Sequence, residues 1–206
     1  MKPFFKALLD QQTDDTLLAP NTMVQGIRLM QLASNPALVG GLPVAAKWRY
    51  MLERLEQATW EEPTIIWTAF KETVKQLGEA MRKRGWSVAE LTGDTSQKKR
   101  TEVRHAFQEG KIDVLLAHPG VGKFGLNLSA ANSVVWLEKS WPADDYYQAS
   151  FRARHLHKQS TVHQLELLAL ANGQPTIDHA VHNLLKSRVT STRKLTATDV
   201  LKAWVR

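Results

Sequence analysis

The chain has 206 residues, 43% hydrophobic and 23% charged, which suits one large globular domain or two small ones and argues against wholesale disorder, collagen-like repeats or a membrane span. There is no cysteine, which excludes disulfides, thiolate zinc sites, iron–sulfur clusters and thiol nucleophiles. Lys and Arg number 27 against 20 Asp and Glu, a net charge of +7 and a pI near 9.7, so a polyanion, nucleic acid above all, is the expected partner.

The opening MKPFFKALLD has Lys6 and Asp10 interrupting its apolar residues, so no signal-peptide core forms and a cytoplasmic protein is expected. Residues 1–60 read as a helical lead-in. Thr22 to Ser34 spaces Met23, Ile27, Met30 and Leu32 near a helical period, and Asn35-Pro36 stops it. After a break at Gly40 to Pro43, Val44 to Ala58 sets Trp48, Met51, Leu52 and Leu55 on one face.

Residues 61–187 alternate strand and helix. Thr64 to Ala69 is a β-branched and aromatic run suited to a buried strand. Lys71 to Arg84 has helical period, with Val74, Leu77 and Met81 inward. Ser87 to Leu91 is a second strand, and Gln97 to Gln108 a helix with Val103, Ala106 and Phe107 on one face. Asp113 to Ala117 and Ser133 to Leu137 are the third and fourth strands. A helix opens at Pro142, where Asp144 and Asp145 favour its positive dipole end. Val162 to Ala169 is a fifth strand and Ile177 to Leu185 a closing helix. The tail, 188–206, is basic and carries a short helix, Thr196 to Val205, with a capping pattern Thr196-x-x-Asp199. From His182 onward six Lys and Arg face a single Asp.

Strands separated by helices imply an α/β fold, a parallel sheet with helices on both faces. Ligands on such sheets bind at the carboxyl ends of the strands, which here are Thr92 to Thr95, His118 to Asn127 and Glu138 to Trp141. The middle segment is glycine-rich. Gly120, Gly122 and Gly125 follow a strand, where missing side chains let backbone N–H groups approach a phosphate, although an ordinary turn explains them too. Gly122-Lys123 is not a nucleoside-triphosphate P-loop, because Ala117 and Phe124 stand where that motif needs Gly and Ser or Thr.

After Pro142 comes Gln148-Ala-Ser-Phe-Arg152-Ala-Arg154-His155-Leu-His157-Lys158. Gln148 and Arg152 share a helix face with His155 near it, so Arg152 can act as an arginine finger, or the segment is an exposed basic helix. His155, His157 and His163 come with no metal-binding pattern of the HExxH type, and no metal is expected. Trp67 and Trp136, inside strands, read as core. Trp141 is a candidate for base stacking, with packing as the simpler role. The clusters Arg82-Lys83-Arg84 and Lys98-Lys99-Arg100 suit either polyanion contacts or solvated helix faces.

In order and spacing, these pieces resemble the C-terminal RecA-like lobe of superfamily-two helicases, specifically the Swi/Snf-type DNA translocases, from about Ile27 to Leu185. RLMQLASNPALV resembles the helix before the lobe, and Lys47-Trp48 the lysine motif that enters it. Thr64 to Phe70 (TIIWTAF) resembles motif IV, and Leu91 to Ser96 with Arg100 and Phe107 the segment that follows. Gly122-Lys123-Phe124-Gly125-Leu126-Asn127-Leu128 matches the G-x-x-G-L-N-L of motif V, Trp141-Pro142 the W-n-P, and Gln148-x-x-x-Arg152 the start of motif VI. The LLAHP wording is similar to short bacterial and bacteriophage-borne members.

The resemblance implies sequence-independent contacts to the DNA backbone by Thr92, Gly93, Thr95, Lys123, Asn127 and Trp141. It implies contacts to ATP by Gly122, Gly125, Asn127 and Arg152, with Arg152 facing the γ-phosphate and Gln148 positioning it. ATP and Mg²⁺ would be held mainly by an N-terminal helicase lobe, in cis or in trans. Two departures bear on catalysis. His155 replaces the second motif VI arginine, with Arg154 adjacent as its substitute, and His157 and Lys158 replace the following Gly-Gln pair. No GxGKT-type loop or DExx box occurs in these 206 residues, so no ATPase activity is expected of this chain alone. Two functions remain: half of a translocase ATPase, or a catalytically inactive module that binds nucleic acid or docks a partner.

Overall fold

The computed structural model describes residues 22–40, 46–57, 63–139, 143–154, 158 and 160–187. The tail helix expected at Thr196 to Val205 lies outside them. The described residues pack as two compact units, one drawn from Trp48–Leu167 and the other from residues 22–47 with 168–187. These limits fall at 47/48 and 167/168, while the sequence reading drew its own at 60/61 and 187/188. No helix among the described residues is long and apolar enough to cross a membrane.

In the larger unit, β1 (Thr64–Trp67), β2 (Val88–Leu91), β3 (Val114–Ala117), β4 (Ser133–Trp136) and β5 (His163–Glu166) form one parallel sheet in the order β2-β3-β1-β4-β5. The sequences explain the order. TIIW and VLLA are apolar at nearly every position and buried throughout, as central parallel strands must be. VAEL and HQLE carry polar residues and stay part-exposed, which suits edges.

The register puts Ile66 beside Leu116 and Val135. These side chains form one face of the sheet. α2 (Ala46–Gln57) covers it with Met51, Leu52 and Leu55, and α3 (Lys71–Arg82) with Val74, Leu77 and Met81. On the opposite face Trp67 stacks on Trp136 at 5.8 Å between centroids, and Trp136 meets Tyr146 of α5 (Ala143–Ser150) at 4.5 Å. Both tryptophans are fully buried core residues. The architecture is the RecA-like α/β fold, with helices on both faces of a parallel sheet. α4 (Gln97–Gln108) has the limits expected of it, with Ser96 capping its first turn through a bond from the Lys99 N–H.

Several elements end earlier than their periodicity suggests, and at two of them a side chain or a turn takes over the backbone; α3 stops at Arg82 and β4 at Trp136, short of the expected Arg84 and Leu137. β1 stops at Trp67 because the Thr68 hydroxyl and the Ala69 N–H (3.1 Å) both donate to the buried Glu138 carboxylate. α5 stops at Ser150, and Arg152 lies in a tight turn whose Phe151 and Arg152 N–H groups reach back to Gln148 and Ala149 carbonyls at 3.3 and 3.1 Å. The continuous helix expected through Gln148 and Arg152 is therefore corrected to a helix followed by a turn. β5 stops at Glu166, short of the expected Ala169.

In the smaller unit α1 (Thr22–Ser34) is followed by a 3₁₀ turn at Pro36–Val39 and packs against α6 (Ile177–Ser187). Between Ala169 and α6 a hairpin absent from the sequence reading pairs β6 (Leu170–Ala171) with β7 (Gln174–Pro175). Its two-residue loop is Asn172-Gly173, both at positive φ (51° and 74°), the pair such a turn requires. The Ala169 N–H donates to Asp178 Oδ2 at 3.0 Å, and the same oxygen lies 2.5 Å from Lys47 Nζ. Lys47 and Asp178 are 4% and 6% exposed, which makes this a buried ion pair.

Candidate nucleotide and nucleic-acid site

The carboxyl ends of β1, β3 and β4 gather the polar residues of the larger unit. After β3 the chain enters a 3₁₀ helix, Pro119–Phe124, with His118 as its cap: the Gly120 N–H donates to His118 Nδ1 at 3.0 Å. Burial holds the His118 imidazole below its usual range, against the opposing pull of the Asp145 carboxylate. A neutral ring suits its role, since only an unprotonated nitrogen can accept that bond. Nearby, Asp145 of α5 is buried and pairs with half-exposed Lys123 at 2.6 Å.

Gly122 has a specific reason to lack a side chain. A Cβ there would lie 3.0 Å from the Ala149 nitrogen and 3.1 Å from its Cα, so the motif V loop and α5 pack backbone to backbone. Gly122 is buried by this contact, and its glycine serves the joint between the two elements. Gly125 closes the 3₁₀ helix in the left-handed region at φ 65°. The loop then continues to Leu128, whose N–H donates to the Arg152 carbonyl at 3.0 Å. The motif V loop is thus joined to α5 at Ala149 and to the following turn at Arg152.

Gly122→Val is expected to force this joint apart, because the obstructing atoms are backbone. Overpacking of this kind costs about 1–3 kcal/mol, and a thermal melt should show a midpoint lowered by several degrees, with nucleic-acid affinity falling in parallel.

The sequence-derived site residues divide. Arg152 is part-buried, and its Nε is buried with no hydrogen-bond partner. Gln148, part-buried, lies one turn before it on α5. Arg154 is exposed and rests over the Phe151 ring at 5.2 Å. Asn127 turns inward on its own loop, its Oδ1 accepting from the Ser129 N–H at 3.0 Å. His155 and Trp141 lie outside the described residues.

The Thr92–Thr95 turn is closed by a bond from the Thr95 N–H to the Thr92 carbonyl (3.1 Å) and one from the Thr92 N–H to Thr95 Oγ1 (2.9 Å). Gly93 in this turn is exposed, and its carbonyl accepts from Arg100 Nη2 at 2.9 Å. Arg100 is 6% exposed, so it belongs to the fold and not to a solvated face. Arg82 and Arg84 are likewise engaged, with Glu90 and with Glu56 (3.0 Å). Sequence reading passed over four further groups: Glu138, the His118 cap, the contact of Arg100 with Phe124, and Lys158. The last donates to the Ser129 and Ala131 carbonyls, each at 2.6 Å, pinning the end of the motif V loop. Only Lys158 left a trace in sequence, as a cation where the family pattern has glutamine.

The family model of the helicase conserved C-terminal domain matches residues 46–156, more than half of the chain. The chain belongs to that family. It is the C-terminal, RecA-like lobe of a superfamily-two helicase.

Among curated relatives, this helicase lobe is 30% identical over 100 residues to the ATP-dependent RNA helicase RhlB of Pseudomonas aeruginosa, covering 48% of this chain and 25% of that protein. With RhlB of Shewanella sediminis it shares 28% identity over 139 residues, 68% of this chain and 32% of the relative. The lobe thus spans a quarter to a third of the length of these relatives. Among solved structures, the Sulfolobus solfataricus SWI2/SNF2 ATPase core in complex with dsDNA aligns over 100% of this chain and 43% of its own, with a TM-score of 0.69 and 20% identity. The C-terminal part of the Fun30 ATPase domain aligns over 78% and 53%, with a TM-score of 0.65 and 20% identity. At such identities the likeness is one of fold.

Proposed function

We propose that this helicase lobe is the C-terminal half of the motor of a Swi/Snf-type ATP-dependent DNA translocase. It tracks the DNA backbone with the motif V loop and the Thr92–Thr95 turn and lends Arg152 to an ATP site completed by an N-terminal lobe, in cis or in trans. The observation that carries the reading is the double joint of motif V to α5 and to the Arg152 turn, through Gly122 against Ala149 and Leu128 N–H to the Arg152 carbonyl. A shift of the loop that holds the strand is thereby a shift of the group offered to the nucleotide.

The residues fit a phosphate. Arg152 presents a guanidinium whose Nε has no partner within the fold, and a planar cation of this kind matches phosphoryl oxygens. Binding of ATP with Mg²⁺ would close the cleft between the lobes, and its hydrolysis would release it. The ion would sit with the nucleotide on the N-terminal lobe. On the nucleic-acid side, Thr95 Oγ1 already accepts from Thr92, so its hydroxyl proton is left to donate to a phosphate oxygen.

A second reading is favoured by the curated relatives, whose names are those of RNA helicases: the strand is RNA. Binding of this chain to duplex DNA and to duplex RNA of one sequence, over a salt series, tests both. With roughly four phosphates neutralised, log affinity for DNA should fall with log salt at a slope of about −4. Tighter binding to RNA would replace the Swi/Snf-type reading with the RNA-directed one. No binding at low salt would overturn both.

A further inference from the structure

Phe124 lies in an exposed stretch, Lys123 to Gly125, between the buried residues Gly122 and Leu126. Its neighbours Val121, Leu126 and Leu128 are at most 6% exposed, whereas the Phe124 ring is 50% exposed. An aromatic left in water forgoes the stabilisation its burial would bring. The ring is nevertheless held in place: the Arg100 guanidinium lies 3.7 Å from its centroid. Arg100 is buried, and its Nη2 anchors it to the Gly93 carbonyl. The ring is thus backed by a planar cation fixed to the Thr92–Thr95 turn, with half of its surface open to solvent. Lys123, which precedes Phe124 in the chain, is held by the Asp145 carboxylate.

A cation-backed ring with an open face is what an unstacked base requires, a π surface steadied by charge from behind. Backbone amides that read phosphates make no such demand, because paired and unpaired strands present the same diester. A ring face can be used only by a base whose own face is free of the duplex stack.

We propose that Phe124 is a stacking platform for an unpaired nucleobase, so that the strand tracked by this lobe is single-stranded or opened where it passes motif V. The inference rests on the nucleic-acid-tracking reading and deepens it by stating the condition of the substrate.

The test uses the full chain and a DNA oligonucleotide carrying 2-aminopurine at its centre, whose fluorescence is quenched by stacking. It is presented as a single strand and annealed to its complement. The wild-type chain should quench the single strand. Phe124→Ala should abolish the quench and weaken single-strand binding about tenfold, while duplex affinity stays within about twofold. Phe124→Tyr should keep the quench. Phe124→Leu, which retains apolar bulk but no π face, should lose it, and the Tyr and Leu variants decide the matter if the Ala variant does not fold.

A quench that persists in Phe124→Leu overturns the stacking role and leaves backbone tracking intact, as do equal losses on single strand and duplex. If the wild-type chain binds neither oligonucleotide at low salt, the nucleic-acid role of the lobe fails and the stacking role fails with it.

Discussion

Arg152→Ala is expected to lower ATP turnover about 10³-fold or more when the chain is combined with an N-terminal helicase lobe, the magnitude typical of a lost arginine finger. The size follows from what the guanidinium does. As the proposed finger it would meet charge that develops on the transferred phosphoryl group, and in a closed cleft no solvent dipole would take its place. Arg152 is suited to this because its Nε is desolvated yet unpartnered, a state that costs stability until an acceptor arrives.

Nucleic-acid affinity should change by less than about twofold in the same variant, because the joint to motif V runs through the Arg152 carbonyl, which alanine keeps. Arg152→Lys should recover little, since an ammonium cannot reproduce the two-pronged fork. Steady-state turnover and binding, measured side by side on the reconstituted pair of lobes, check both halves of the expectation. If Arg154→Ala carries the loss instead, the finger is the exposed arginine over Phe151 and the assignment of Arg152 is wrong.

Asp178→Ala should be the most destabilising single change in the smaller unit. The substitution removes the carboxylate that faces the buried Lys47 ammonium at 2.5 Å and deprives the Ala169 N–H of its acceptor. Breaking a buried pair by deleting one partner costs about 3–5 kcal/mol, chiefly because the other charge is left in a low-dielectric site. Urea denaturation followed by circular dichroism should show the loss. The paired replacement Lys47→Met with Asp178→Leu should restore most of it, since no buried charge remains. By contrast Lys71→Ala, which breaks an ion pair at 2.5 Å whose partners are 59% and 74% exposed, should cost no more than about 1 kcal/mol. A small loss in Asp178→Ala would mean that Lys47 is held by another partner or reached by water.

Much of the fold is legible because burial imposes period on sequence. TIIW and VLLA are apolar at nearly every position, as strands covered on both faces are, and Gln97 to Gln108 has a capping Ser96 before it and one apolar face. Element ends are less legible. Nothing near Thr68 announces that a carboxylate 70 residues away will capture its hydroxyl, nor does the sequence around Ser150 show where the helix tightens. The Asn172-Gly173 hairpin was readable from its turn residues, yet its strands are two residues each, too short to show a period, and they lie just beyond the fifth strand expected to end at Ala169.

The amino-acid sequence alone determined the strand–helix alternation, the parallel sheet, the basic charge and the order of the helicase motifs, all properties of residue type and local spacing. Tertiary structure decided what surrounds each described site residue. Gly122 is a packing contact because Ala149 is brought against it, Arg100 is a buried brace because Gly93 and Phe124 meet it, and Phe124 is left exposed over that brace. These partners are separated along the chain and joined only when the sheet aligns its strand ends, so no local pattern encodes them.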